Sequence, residues 1–106
     1  MANPPFKAYL FDLDGTLIDS VELILQSYRH TVKKHLGKVP PDELWLAGMG
    51  TPLRKQLGEF SDDPEVIEAM IVTYREYNNQ HHDDMVTVFP GAMEAVRTLS
   101  SWGVKL

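Results

Sequence analysis

Cysteine is absent from the 106 residues, which excludes a disulfide framework, a cysteine-based zinc site and a thiol nucleophile. No apolar run approaches the roughly 18 residues that a membrane-spanning helix needs, and the first residues lack a signal-peptide pattern. Glycine and proline number only 7 each, too few for a collagen-like or low-complexity chain. A net charge of −5 gives no electrostatic reason to expect a nucleic-acid partner. We expect a soluble, cytoplasmic protein with neither a nucleic-acid nor a membrane partner.

The apolar pattern predicts an α/β chain with a strand near each end and helices between them. Residues 6–11 resemble a buried strand of a parallel sheet, and residues 104–106 begin a second strand. Helical spacing predicts helices over residues 21–36, 64–82 and 92–102, with two short helical pieces near residues 42–45 and 52–57, and residues 83–89 look extended. This order is a strand–helix–strand crossover with a helical insertion after the first strand. A sheet of two parallel strands is not stable alone, because both of its faces and edges must be buried against other elements. We therefore expect this chain to be the first half of a larger domain.

A pair of carboxylates follows the first predicted strand. Asp12 and Asp14 flank a single residue, and Gly15 and Thr16 continue the loop. Ligands bind at the carboxyl ends of strands in an open α/β sheet, and two carboxylates there repel each other unless a cation joins them. Mg²⁺ suits this position because it takes oxygen ligands, and Thr16 and the loop amides would meet phosphate oxygens. The alternative is an Asx turn, in which both carboxylates bond only their own loop.

The ten residues 11–20 (FDLDGTLIDS) closely resemble motif I of the haloacid dehalogenase superfamily, which has the form hhhDxDGTLxDS. The resemblance implies a phosphohydrolase with a Rossmann-like core. Asp12 matches the nucleophile that forms an aspartyl-phosphate, and Asp14 matches the acid/base that protonates the leaving oxygen and then activates water. The resemblance also implies Mg²⁺ held by the Asp12 carboxylate and the Asp14 backbone carbonyl, with Gly15 and Thr16 at the substrate.

The same resemblance divides the chain into three segments. Residues 1–19 correspond to the first core strand and catalytic loop, residues 20–84 to an inserted α-helical cap, and residues 85–106 to the return into the core. Such a cap closes over the site, excludes water and selects the leaving group. Motif II (Ser or Thr), motif III (Lys) and motif IV (an acidic pair) are absent, and Lys105 lies inside a predicted strand and is not assigned to motif III. We therefore expect an N-terminal portion with little or no activity alone.

Within the superfamily, the finer resemblance is to the PpaX-type pyrophosphatases, with phosphoglycolate phosphatases as near neighbours. Residues 70–86 are similar to the end of the PpaX cap, and residues 50–54 to its cap loop. This implies hydrolysis of inorganic pyrophosphate to phosphate with Mg²⁺. Two alternatives stay open. One is a phosphatase of phosphoglycolate or another small phosphomonoester, or a sugar-phosphate mutase, on the same scaffold; the other is a non-catalytic truncated fragment whose helices form an interaction surface.

Thr51 and Arg54 in the cap loop are candidate substrate contacts. The Arg54 guanidinium suits the distal phosphate of pyrophosphate, but a surface ion pair with Glu59 or Asp42 is an equal alternative. Thr51 is favoured as a helix N-cap over a role as a ligand. Asp19 or Ser20 is expected to cap the first long helix, just after the carboxylate loop.

The stretch HHDD at residues 81–84 invites the hypothesis of a second metal site. Adjacent residues on a helix point roughly 100° apart, so the two histidines cannot share one ion without unwinding. Imidazoles near a helix C-terminus are also favourable without any metal. We therefore interpret this stretch as the end of a helix.

Overall fold

The protein is mostly helical with two short strands in a computed structural model that describes residues 3–106. The elements, in chain order, are β1 (Ile18–Asp19), α1 (Val21–Leu36), α2 (Asp42–Leu46), α3 (Leu53–Leu57), α4 (Pro64–Met85), β2 (Thr87–Val88) and α5 (Ala92–Ser101). The first two residues of the predicted 1–19 segment lie outside the described residues. Among the described helices, none has the length and apolarity needed to cross a membrane.

The chain forms two compact units. One consists of the segment up to Val21 together with Val86–Leu106, and the other is Glu22–Met85, which holds most of α1 and all of α2, α3 and α4. We call them the strand unit and the helical unit. The five predicted helical regions are all present, and each carries apolar residues at helical spacing that can face a common core.

The core of the helical unit is built from one apolar face of each helix. Its buried members come from α1, α2, α3 and α4: Leu25, Tyr28, Val32, Trp45, Leu57, Met70 and Ile71. Within α1, apolar spacing predicts one buried stripe of Val21, Ile24, Leu25, Tyr28, Val32 and Leu36; Leu25, Tyr28 and Val32 are buried, whereas Val21 is 41% exposed. Leu23 lies outside this stripe and is also buried.

Aromatic rings fill the centre of this core. Tyr28 stacks on Trp45 with ring centroids 4.9 Å apart, and Phe60 lies against both rings. The Tyr28 hydroxyl donates a 2.8 Å hydrogen bond to the Pro40 carbonyl, and burial, with the nearby Asp42 carboxylate, raises the pKa of that hydroxyl. The bond ties the loop before α2 to α1, which keeps Trp45 over the Tyr28 ring.

Polar side chains join α1 to α4 beside this core. His35 Nε2 lies 2.7 Å from the Thr73 hydroxyl, which is itself buried. Further towards the other end of the two helices, the Tyr77 hydroxyl donates to Gln26 Oε1 at 3.1 Å, and the Tyr77 ring stacks on His30. These contacts set the register between the two longest helices, since each polar group has one defined partner.

The predicted buried strand at residues 6–11 is wrong in its extent and its burial. Among the described residues, this segment forms a single parallel bridge, between Ala8 and Lys105, with the Tyr9 amide donating to the Lys105 carbonyl at 2.9 Å. Phe6 is 64% and Leu10 97% exposed. A parallel strand needs neighbours on its edges and helices on its faces, and the described residues supply only one short neighbour. The parallel orientation of the two ends is nevertheless as predicted.

An antiparallel ribbon that the sequence did not predict links the two segments of the strand unit. Ile18 pairs with Val88 and Asp19 with Thr87, and the Phe89 amide donates to the Leu17 carbonyl at 3.1 Å. The predicted extended region 83–89 is therefore confirmed only in part, because α4 continues to Met85. No helix-breaking residue interrupts the chain between residues 82 and 85, which explains the longer helix.

Replacing Leu57 by alanine should lower the free energy of unfolding by about 2–5 kcal/mol, because this fully buried side chain leaves a cavity in the core. Urea unfolding followed by far-ultraviolet circular dichroism measures the change. Leu44→Ala is the matched control, since Leu44 is 59% exposed and its loss should cost far less. Equal losses in the two variants would contradict the described core.

Stability should also fall on acidification through His35. Burial, followed by the charges of Lys34 and His30, lowers the pKa of His35 below its usual 6.5. As the pH falls, the His35 imidazole is therefore protonated in the unfolded chain before it is protonated in the folded one. The contribution of neutral His35 to the free energy of unfolding is complete above pH 6.5 and is lost as the pH falls towards the folded-state pKa. Urea unfolding over this pH range should show a weaker pH dependence in His35→Gln than in the exposed control His82→Gln. If the free energy of unfolding of His35→Gln depended on pH as strongly as that of the native chain, this role of His35 would be contradicted.

Candidate functional site

The carboxylate loop is a tight turn organised around one carbonyl. The Leu13 carbonyl accepts hydrogen bonds from the amides of Leu17 at 3.0 Å and Ile18 at 3.1 Å, and the Gly15 amide donates back to the Ile18 carbonyl at 2.9 Å. Gly15 has φ +76°, a left-handed conformation that costs a residue with a Cβ. The turn fixes the backbone on both sides of Asp14.

Asp14 is held by a side chain six residues further on. The Ser20 hydroxyl donates to Asp14 Oδ1 at 3.0 Å, and Ser20 is only 4% exposed. Asp19, and not Ser20, bonds the first turn of α1 through its side chain: its Oδ1 accepts from the Val21 amide at 3.2 Å. Of the two predicted capping residues, Asp19 thus makes the bond to the helix, and Ser20 orients a carboxylate.

Asp12 bonds within its own loop. Its Oδ1 accepts from the adjacent Leu13 amide at 2.9 Å, whereas an Asx turn would bond the amide two residues on, and the side chain is exposed. The Oδ2 atoms of Asp12 and Asp14 accept no hydrogen bond from the described residues. Each carboxylate therefore keeps one oxygen for a ligand.

The donor set fits part of a magnesium site. Carboxylate and carbonyl oxygens are the hard ligands that Mg²⁺ prefers, and Mg²⁺ usually keeps several waters and takes only one or two protein carboxylates. The described residues hold no cluster of three or more His, Cys, Asp or Glu that could bind a metal. Asp12 and Asp14 can thus supply only some of the six ligands that an octahedral Mg²⁺ requires.

The loop amides are mostly unavailable to a phosphate, contrary to expectation. Those of Gly15, Thr16, Leu17 and Ile18 all donate to carbonyls inside the turn. Among the described residues, the amides of Asp12 and Asp14 are the ones in this loop that have no acceptor. The turn is too tight to point several amides outward. A phosphate could therefore meet the Thr16 side-chain hydroxyl, whereas Gly15 would only leave space for it beside the backbone.

The two candidate residues of the cap loop, Thr51 and Arg54, lie in the helical unit. Thr51 does not cap α3: Pro52 occupies that position, no side chain caps the helix, and the Thr51 amide donates to the Gly48 carbonyl at 3.1 Å. The expectation of an N-cap was therefore wrong, because Pro52 already begins the helix with a fixed φ.

Arg54 forms an ion pair with Glu68 on α4. The predicted partners Glu59 and Asp42 were wrong. Asp42 instead accepts from Arg29 Nε at 3.1 Å, and the bonded guanidinium holds the pKa of that carboxyl below its usual value. Arg54 is 62% exposed along its side chain, so this surface pair contributes little to stability.

The histidines at residues 81 and 82 lie in the last turns of α4. The His81 ring packs against Tyr77 with centroids 4.3 Å apart, and His82 Nδ1 lies 3.3 Å from Asp83 Oδ1. The two rings contact different neighbours, as the angular separation of adjacent helical residues requires.

Sequence reasoning missed two partners of the candidate residues. Ser20 closes the motif string, but its spacing from Asp14 does not reveal a hydrogen bond until β1 folds the chain back. Glu68 carries no local signal, because its contact with Arg54 depends on how α3 packs against α4.

Comparison with known proteins supplies a family. The sequence model of the haloacid dehalogenase-like hydrolases matches residues 9–106. Pyrophosphatase PpaX of Halalkalibacterium halodurans is 42% identical over 98 residues, which cover 92% of this chain and 44% of the relative. A solved haloacid dehalogenase-like hydrolase from Streptococcus pneumoniae has a TM-score of 0.74 at 31% identity, covering 84% of this chain and 42% of that chain.

A second solved structure, from Clostridium difficile, covers 96% of this chain and 47% of its own, with a TM-score of 0.79. At 24% identity it supports the fold alone. The chain thus spans less than half the length of each of these relatives.

Gly15→Ala should loosen the carboxylate loop. A Cβ in the left-handed conformation costs about 1–2 kcal/mol, so the Leu17 and Ile18 amides should exchange with solvent about 5–30 times faster. Amide hydrogen exchange followed by NMR measures this rate. Gly15→Asn is the matched control, because asparagine tolerates positive φ and should stay near the native rate. Unchanged exchange in Gly15→Ala would contradict the described turn.

Proposed function

Because the chain belongs to the haloacid dehalogenase-like hydrolase family, we propose that it carries the N-terminal portion of a Mg²⁺-dependent phosphohydrolase that cleaves inorganic pyrophosphate. The pyrophosphatase relative supports this substrate, since its similarity extends over 92% of the chain, including the helical unit. Family membership supports the cofactor, because hydrolysis of a phosphate anion by a carboxylate needs a cation to offset their repulsion.

The observation that carries the proposal is the pairing of two carboxylates in one turn, each with an oxygen free. Asp12 Oδ1 is held by the Leu13 amide and Asp14 Oδ1 by the Ser20 hydroxyl. The remaining oxygens are open to a ligand at the end of the segment that bridges to Lys105. A purely structural Asx turn would need no buried hydroxyl on its second carboxylate.

In the proposed reaction, the free oxygen of Asp12 attacks a phosphorus of pyrophosphate, and the bond from that phosphorus to the bridging oxygen breaks. Asp14 gives its proton to the departing phosphate, and an aspartyl-phosphate remains on Asp12. Asp14 then takes a proton from a water that attacks the aspartyl-phosphate, which releases the second phosphate and restores both carboxyl groups. Mg²⁺ held by the Asp12 carboxylate and the Asp14 carbonyl would offset the shared negative charge.

Ser20 is a positioning residue in this scheme. Its hydroxyl is buried and donates to Asp14, so it fixes one oxygen and leaves the other directed to its proton-transfer role. Asp19 bonds the amide of Val21, which holds the chain between the turn and α1 in place. Residues 15 and 16 would border the substrate, with the Thr16 hydroxyl as a donor.

Residues 20–84 are proposed to act as the cap over this site. Thr51 and Arg54 would then meet the leaving phosphate, with Arg54 exchanging its exposed partner Glu68 for a phosphate oxygen. Such an exchange is feasible because a solvated ion pair contributes little and can reform.

The test uses the complete reading frame, including all in-frame codons after that of Leu106. Phosphate release from pyrophosphate, phosphoglycolate and hexose phosphates is measured with Mg²⁺. Asp12→Asn should lose roughly 10³-fold or more in kcat, and Asp14→Asn roughly 10²–10⁴-fold, because nucleophile and proton donor are removed. Asp62→Asn, in an exposed loop, is the matched control and should retain activity.

The substrates separate the remaining alternatives. Turnover of phosphoglycolate without pyrophosphate would reject the pyrophosphatase assignment but keep the phosphohydrolase. A frame that ends at Leu106, with no phosphate release and no effect of Asp12→Asn, would leave only the non-catalytic fragment.

A further inference from the structure

A cavity of about 410 Å³ lies within the helical unit, between the end of α2 and α3. Its volume falls in the range of roughly 300–1,000 Å³ that small-molecule pockets occupy. Leu44 and Phe60 supply apolar walls, and Lys55, Gln56 and Glu59 supply polar groups. Every lining residue belongs to the helical unit, and Thr51, a proposed substrate contact, is one of them, whereas Asp12 and Asp14 are not.

The inner wall of the cavity is fixed by packing. Gln56 is 8% exposed, and its Nε2 donates a 2.7 Å hydrogen bond to the Trp45 carbonyl. A Cβ added to Gly48 would lie 3.2 Å from Gln56 Cγ, so glycine permits this close approach. The amide is therefore held in one orientation beside the cavity before any ligand arrives.

Two opposite charges line the cavity without partners. Lys55 and Glu59 are four residues apart, a spacing at which such pairs often meet on a helix. Neither takes part in an ion pair or side-chain hydrogen bond with the described residues, whereas the neighbouring Arg54 is paired with Glu68. Both residues are exposed, and α3 ends at Leu57, before Glu59.

We propose that this cavity binds a small zwitterion of the amino-acid type. The carboxylate of the ligand would meet the Lys55 ammonium, its ammonium group the Glu59 carboxylate, and an apolar side chain the surface of Leu44 and Phe60. An anion such as pyrophosphate satisfies only Lys55 and is repelled by Glu59. The inference rests on Lys55 and Glu59, and it uses neither the carboxylate-loop residues nor Thr51, the proposed substrate contact that also lines the cavity.

Leucine and two analogues test the proposal on the 106-residue chain. Backbone amide shifts of Gly48 and Gln56 are followed by NMR during titration with L-leucine, with N-acetyl-L-leucine, which lacks the ammonium, and with L-leucinamide, which lacks the carboxylate. Leucine should bind saturably with a Kd on the order of 1 mM or below. Each analogue should bind about tenfold or more weakly, since it leaves one charge of the cavity unpaired.

Two variants assign each charge to its ligand group. Lys55→Met should remove the preference for leucine over leucinamide, and Glu59→Gln should remove the preference for leucine over N-acetyl-leucine. Lys34→Met, on α1 outside the cavity, is the matched control and should bind like the native chain. Far-ultraviolet circular dichroism verifies that every variant is folded.

Three results would overturn the proposal. The first is no saturable shift at about ten times the expected Kd. The second is leucine binding that keeps both preferences in the variants. The third is pyrophosphate binding at Gly48 and Gln56 as tightly as leucine, which would make the cavity an anion site instead.

Discussion

Stacking of Tyr28 on Trp45 is the contact on which the helical unit depends. The two rings join α1 to the very short α2, and Phe60, just after α3, closes over them. Helices of five residues have too few internal hydrogen bonds to persist by themselves, so α2 and α3 owe their existence to this burial. The hydrogen bond from the Tyr28 hydroxyl to the Pro40 carbonyl then satisfies the polar end of a ring that would otherwise be costly to bury.

The helices could be predicted from the sequence, whereas the strands could be predicted only in part and the antiparallel pairing of β1 with β2 not at all. The buried face of a helix follows from the spacing of apolar residues within that helix, and α1 and α4 both show this spacing in their own sequences. Strand pairing depends on segments far apart in the chain. Ile18 pairs with Val88, which lies 70 positions further along the chain, and no sequence pattern near either residue predicts this pairing. The same non-local dependence explains why residues 6–11 form one bridge and not a buried strand.

The candidate site divides in the same way. Asp12 and Asp14 could be identified from a contiguous string, and the structure places both in one turn, although their chemical roles stay a prediction. Ser20 belongs to the same string, yet its bond to Asp14 depends on the turn that Gly15 permits. The partner of Arg54 depends on the packing of α3 against α4, which no local rule gives. Candidate site residues can thus be identified from the sequence, whereas the residues that bond them can be identified only from the folded structure.

The β1–β2 ribbon has a consequence for how the chain tolerates change. Because Asp19 faces Thr87, the whole helical segment leaves and re-enters at nearly the same point in space. The segment therefore has the topology of one very long loop, whose closure entropy grows only with the logarithm of its length. Helices can be lengthened, shortened or exchanged there at small entropic cost while the ribbon at the base keeps its register. The carboxylate turn just before β1 would then retain its geometry through such exchanges, so the helical unit could change while the loop that holds Asp12 and Asp14 stays the same.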